Sequence, residues 1–147
     1  MGLIPKLKNK NVFLDTAPLI YYIEESPKYS PILNKLFLEN SKGEFLFQTS
    51  VITLLEVLVL PMRQNEIQLV EQYQSILCNS PSIDILDLNI EIAKKAAGLR
   101  AKYGLKTPDS IQVATSVFCS ADYFLTNDIR LKAVQEIEML VLDELIK

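Results

Sequence analysis

Short apolar runs rich in β-formers recur along the chain, at NVFL (11–14), FLFQ (45–48), IDIL (83–86), YFLT (123–126) and MLVL (139–142). Stretches of a different period lie between them. From Pro31 to Glu39, the apolar residues Ile32, Leu33, Leu36 and Phe37 fall at three- and four-residue spacings, which marks one face of a helix. Residues 51–61, 65–78, 90–103 and 108–119 behave in the same way, and a further helical pattern opens just after the first run, with Pro18 in its first turn. Ser50, Asn89 and Thr107 stand where N-caps belong, and Pro108 stands at a first helical position. Strands alternating with helices predict a parallel sheet, because parallel strands need crossover connections. The runs are apolar throughout, as strands covered on both faces should be. The expected architecture is α/β, a three-layer α/β/α domain around a central parallel sheet of four to five strands. In such sheets ligands bind beyond the carboxyl ends of the strands.

Composition narrows the chemistry more than the fold. The 147 residues are 49% hydrophobic and 22% charged, a globular balance that suits one domain over residues 1–147. A chain of this size buries about 70% of its extended surface without staples. No apolar run approaches the roughly 20 residues of a membrane span; the best, VITLLEVLVLPM, is broken by Glu56 and ended by Pro61. The opening MGLIPKLKNKN lacks the apolar stretch of a signal peptide, and Lys6 spoils a myristoylation pattern, so a cytoplasmic location is expected. Cys78 and Cys119 fit no metal or redox spacing and are expected as free, mostly buried thiols. Histidine is absent, which removes Ser-His and Cys-His catalysis and His-ligated zinc together. With only four glycines there is no glycine-rich phosphate loop. A net charge of −3 does not decide for or against a polyanionic substrate: with four of the 18 acids on a metal, 14 remain against 15 bases.

Four acids stand out, each with two readings. Asp15 ends the first strand, either to favour the following helix N-terminus or to meet a ligand. Glu56 shares a helical face with Ile52, Thr53, Val59 and Leu60, so it either snorkels off the rim or is paired. Asp109 follows Thr107 and Pro108 in a helical first turn, and Asp128 lies in a turn after a strand, both common places for Asp. Geometry joins them. A helix over 108–119 runs about 18 Å, and the strand 123–126 returns about 13 Å in the opposite sense. Asp109 and Asp128 therefore meet at one edge, with Asp15 beside them if its strand is parallel and adjacent. Glu56, two turns into its helix, can lean over the same spot. Two unit charges 4 Å apart repel by about 4 kcal/mol at an effective dielectric of 20. Such a cluster either keeps protons or binds a cation. Oxygen ligands without His or Cys select Mg²⁺ or Mn²⁺.

The segments VFLDTAPLIYYI, TSVITLLEVL, LKTPDSIQVATSV and ADYFLTNDIRL resemble, in order, the four acidic motifs of PIN-domain ribonucleases, and most of all the VapC-type toxins of prokaryotic toxin–antitoxin pairs. The resemblance covers nearly the whole chain. Each motif is short, but four in order on a βα pattern are specific. By this resemblance Asp15, Glu56, Asp109 and Asp128 form the quartet that binds Mg²⁺ or Mn²⁺ and cuts single-stranded or looped RNA. Thr16, Ser110, Thr126 and Asn127 fall where the family often places polar supporting groups. The resemblance also implies a small antitoxin partner and a homodimer. Tyr21, Tyr22, Leu36, Phe37 and Leu38 belong either to the core or to an apolar contact surface. Arg100, Lys102 and Lys106, just before the Asp109 helix, are either contacts for RNA phosphates or a solvated loop. The basic extension over residues 1–10, with Lys6, Lys8 and Lys10, is expected as a solvated tail at the opposite end of the first strand from the acids.

Other reactions fit less well. Haloacid-type phosphatases want DxDxT after the first strand, where this chain has DTAPL, and receiver domains want adjacent acids and a late Lys. The rival from a different class is a non-catalytic module of the same fold that binds RNA or protein. It predicts no stabilisation by Mn²⁺.

Overall fold

The structure is a computed structural model describing residues 2–146. Its elements follow in the order α1 (Leu3–Leu7), β1 (Asn11–Leu14), α2 (Thr16–Ile23), α3 (Ser30–Ser41), β2 (Leu46–Ser50), α4 (Val51–Arg63), α5 (Ile67–Asn79), β3 (Ile83–Leu86), α6 (Ile90–Tyr103), α7 (Thr107–Phe118), β4 (Tyr123–Thr126), a 3-10 turn (Ile129–Ala133), β5 (Glu138–Val141) and α8 (Leu142–Leu145). The five strands form one parallel sheet in the order β3-β2-β1-β4-β5. This is the α/β sandwich that the alternation of periods predicts.

Side-chain alternation along the central strand separates the two cores. Val12 and Leu14 point into a cluster with Leu19, Leu33, Leu36, Val57, Tyr73 and Leu77, so α2 to α5 cover that face. Phe13 points the other way, into a cluster with Ile92, Leu99, Val113, Phe124 and Leu131, supplied by α6, α7 and the 3-10 turn. Phe13 stacks on Phe124 of the neighbouring strand with ring centroids 5.1 Å apart. The chain winds outward from β1 through β2 to β3 on one side, then returns to place β4 on the other. The gap beyond β1 and β4 is therefore the topological switch point, where open α/β sheets bind ligands. Asp15 follows β1 and Asp128 follows β4.

Several local expectations need correction. The N-terminal extension is not a solvated tail: Leu7 is 1% exposed, Leu3 and Ile4 pack on the core, and Lys6 pairs with Glu138 at 2.7 Å. It does lie at the amino end of the sheet, away from Asp15, because Glu138 begins β5. Thr107 is the first residue of α7 rather than its cap; Lys106 precedes it without a side-chain cap bond. Cys78 is exposed and Cys119 half-buried. Leu36 and Phe37 belong to the core, with Tyr22 stacked on Phe37 and Tyr21 on Tyr29. Leu38 is exposed, and so are Leu55, Val59 and Met62, which share one stripe of α4. Among the described residues no helix is long and apolar enough to cross a membrane.

Candidate active site

Asp15 leaves β1 still in extended conformation, its N–H donating to Leu125 O of β4 at 3.0 Å. Its Oδ1 accepts from the Thr16 N–H at 2.9 Å, which caps α2, and its Oδ2 accepts from Thr126 Oγ1 at 2.8 Å. The helix-capping reading of Asp15 therefore holds: one oxygen caps α2, and the other faces the strand-end beside it. The Thr16 hydroxyl donates to Glu56 Oε1 at 2.6 Å, so two turns of α4 bring Glu56 over the end of β1. Glu56 is half-buried and paired, not extended off the rim.

Beneath these acids lies a buried polar layer. Gln112, 1% exposed on α7, donates through Nε2 to Thr53 Oγ1 at 2.6 Å and lies 3.5 Å from Asp15 Oδ1. Its Oε1 accepts from the Ser50 hydroxyl, and Thr49 donates to Leu14 O while its oxygen lies 2.9 Å from the Thr53 hydroxyl, which can donate to it. No buried side-chain polar atom among the described residues lacks a partner, so the layer holds its shape without strain.

Asp109 sits in the first turn of α7, half-buried. Burial pushes its carboxyl up, and the charges of Asp128 and Glu56 push it further, against Arg130 and Lys106, which pull it down. Asp15 is raised chiefly by burial; the bonds from Thr126 and Thr16 oppose this, while Asp109 and Glu56 add to it. Asp15 after β1 and Asp109 on α7 thus both feel the charge of Glu56 on α4. Asp128 behaves differently. Its carboxyl is held below the ordinary range by Arg130, whose Nε donates to Oδ1 at 3.0 Å and whose Nη2 donates to Oδ2 at 2.7 Å. Asp109 and Asp128 share a cleft of about 220 Å³ with Lys106, Arg130, Leu105 and Leu131.

The supporting residues divide. Thr16 and Thr126 hold Asp15, and Thr126 also accepts from the Asp128 N–H at 3.1 Å. Ser110 bonds its own helix through Thr107 O, and Asn127 turns away to Tyr29 and the Asp143 N–H. Of the three bases ahead of α7, only Lys106 lines the cleft; Arg100 donates to Leu105 O and Lys102 pairs with Glu136. Sequence reasoning missed Gln112 and Arg130. Gln112 carries a signal in retrospect, since it lies three residues after Asp109 within the otherwise small and apolar SIQVATSV. Arg130 carries none, since an Arg in a turn is ordinary.

The donor chemistry fits a hard divalent cation, because every candidate ligand is a carboxylate or hydroxyl oxygen. The side chains as placed do not form a ready cage: no three Asp, Glu, His or Cys groups gather for a metal among the described residues. Two of the acids are engaged elsewhere, Glu56 by Thr16 and Asp128 by Arg130. Among the described residues no side-chain cation holds Asp15 or Asp109, and Asp128 would have to leave Arg130 to offer both oxygens to an ion.

Several solved structures share the fold. A toxin–antitoxin complex from Klebsiella pneumoniae aligns with TM-score 0.67 at 20% identity, covering 89% of this chain and 97% of that one. VapBC2 from Rickettsia felis, bound to a DNA fragment from its promoter, gives 0.65 at 18% identity over 89% and 98%. VapC20 from Mycobacterium tuberculosis, a sarcin-ricin loop cleaving toxin, gives 0.63 at 13% over 77% and 86%. None of the curated proteins matches the chain. The PIN domain family model matches residues 12–137, from β1 through the approach to β5, and the chain belongs to that family.

Proposed function

We propose that the protein is a Mg²⁺- or Mn²⁺-dependent endoribonuclease that hydrolyses RNA phosphodiester bonds, and that it serves as the toxin of a toxin–antitoxin pair. The observation that carries this reading is the charge pressed on Asp15 and Asp109 by their acidic neighbours at the carboxyl edge of a parallel sheet, with Asp128 beside Asp109 in one cleft. Asp15 and Asp109 are the first ligands, since burial and like charge raise both and a cation relieves both. Glu56 and Asp128 join once released from Thr16 and Arg130. When bound, the cation lowers the pKa of a coordinated water and balances charge on the phosphoryl oxygens. The protein's own part is placement: Thr16, Thr126 and Gln112 fix Asp15, and Lys106 stands at the cleft where a phosphate would arrive. Family membership supports the nuclease assignment. The solved neighbours that are toxin–antitoxin complexes support a small antitoxin as partner, and a homodimer is the expected assembly.

The test compares wild type with Asp109→Asn on a structured RNA pool, with and without Mg²⁺. Wild type cleaves only with metal. Losing a group that merely supports a metal ligand costs about 10- to 100-fold, so losing a ligand costs at least about 100-fold. Equal cleavage by both proteins means a contaminating nuclease. One observation favours the second reading, a non-catalytic RNA- or protein-binding module: the absence of a ready three-acid cluster among the described residues. That reading predicts no Mn²⁺ effect on melting.

A further inference from the structure

Arg130 is an exposed cation in the cleft that holds Asp109 and Asp128. Its side chain is 73% exposed, yet its guanidinium grips both oxygens of Asp128 as a planar fork, and its backbone N–H donates to the same Oδ1 at 3.0 Å. A metal ion that uses Asp128 must compete for those oxygens. The guanidinium is mostly in solvent, which screens its pull, and a divalent ion attracts the same carboxylate with twice the charge. The released guanidinium would then face solvent at the mouth of the cleft it shares with Lys106 and Asp109. A bidentate fork matches two oxygens of a phosphate as well as it matches a carboxylate. Behind it, Leu105, Leu131 and Val134 line a space of about 220 Å³. That is smaller than the roughly 300–1,000 Å³ of a free small-molecule site, and so suits one unit of a polymer held elsewhere along its length.

We propose that Arg130 is a movable counter-ion: it cedes Asp128 to the divalent cation and takes a backbone phosphate of single-stranded RNA in exchange, with the adjoining nucleotide entering the Leu105–Val134 cleft. This rests on the metal-dependent ribonuclease reading and adds to it a residue that makes substrate binding depend on metal binding. Arg130 is a phosphate-positioning residue in this scheme. It takes no part in proton transfer.

Arg130→Ala and Arg130→Lys separate the exchange from simple charge. Mn²⁺ binding to the protein alone is measured by calorimetry. RNA binding is measured by fluorescence anisotropy with a 2′-O-methyl single-stranded oligonucleotide, which resists cleavage, in Mn²⁺ and in EDTA. Removing the competitor tightens Mn²⁺ binding about two- to five-fold in Arg130→Ala, while oligonucleotide binding in Mn²⁺ weakens about five- to ten-fold. In EDTA the oligonucleotide binds wild type and variant alike, because there the fork stays on Asp128. Arg130→Lys keeps the charge but not the fork, so it follows Ala in both assays; a Lys variant indistinguishable from wild type would reduce the effect to charge and overturn the exchange. Wild-type Mn²⁺ binding with Arg130→Ala unchanged overturns this inference alone. No Mn²⁺ binding by wild type overturns the ribonuclease reading and this inference with it.

Discussion

At the scale of single residues, Asp15 and Asp109 are alike in direction and unlike in support. Asp15 accepts bonds from Thr126 and Thr16, whereas only charges act on Asp109 besides its burial. A first-turn Asp ordinarily gains about 0.3–1 kcal/mol from the helix dipole. At Asp109, burial and the charges of Asp128 and Glu56 push the other way and raise the carboxyl. A carboxyl raised in the folded state binds its proton more tightly there than in the unfolded chain. Stability is therefore lost as pH rises from the ordinary carboxylate range through the raised folded value. Asp109→Asn removes that loss while keeping a side chain suited to a helix start. In EDTA near pH 7 the variant should melt higher than wild type, by on the order of 1 kcal/mol after screening, or roughly 2–4 °C at this chain length. The gap should shrink toward pH 4; thermal melts across that range decide it, and a variant that melts lower throughout would mean the acid is stabilising. Asp15 and Glu56 were legible because a carboxylate ending an apolar strand or facing an apolar helix stripe has few uses. Asp109 and Asp128, in ordinary places for Asp, stood out only through the helix and strand lengths that bring them to one edge. The roles of Ser110 and Asn127 were not. A hydroxyl or amide has several partners in reach, and here Thr107 O and Tyr29 won over the neighbouring acids.

At the scale of elements, the outlines that sequence predicts correctly are those where one signal dominates. β1, β3 and β4 coincide with their apolar runs, and α6 runs from just after its Asn89 cap to just before Gly104, whose φ of 69° ends the helix in the left-handed region. β2 runs two residues past its predicted end because Thr49 and Ser50, though polar, are fully buried and paired with Leu14 O and Gln112. A hydrophobicity rule stops at such residues; hydrogen bonding lets the strand go on. α1 escaped notice because Lys6, Lys8 and Lys10 suggested a solvated tail, while Leu3, Ile4 and Leu7 supply a one-turn apolar face. Caps give the cleanest element-scale prediction. Asn89 accepts from the Ile92 N–H at 2.9 Å, so Asn89→Ala should cost about 1 kcal/mol in urea unfolding. Asn89 opens α6, whereas the acids follow β1 and β4 or lie on α4 and α7, so Mn²⁺ affinity should not change. A variant that lost both stability and metal binding would show that α6 sets the position of α7 and Asp109.

At the scale of the whole molecule, the acids are a local cost set against the stability of the entire domain. Folded proteins keep only about 5–15 kcal/mol in hand, so relief of repulsion at one edge of the sheet is visible in global unfolding. A ligand that binds the native state alone stabilises it by about 2.7 kcal/mol at a hundred times its dissociation constant. For a chain of this length that corresponds to roughly 5–10 °C in melting temperature. Protons compete for the same oxygens, and Asp15 and Asp109 hold theirs to higher pH than ordinary carboxyls do. The gain from saturating Mn²⁺ over EDTA should therefore be full near pH 8 and begin to fall, on the way to pH 5, at a higher pH than ordinary carboxyls would give. Scanning fluorimetry at both pH values tests this directly. A gain of equal size at both would place the cation outside the switch point where β1 and β4 diverge. The size of the pH dependence thus reports whether the raised pair, and no other acids, takes the ion.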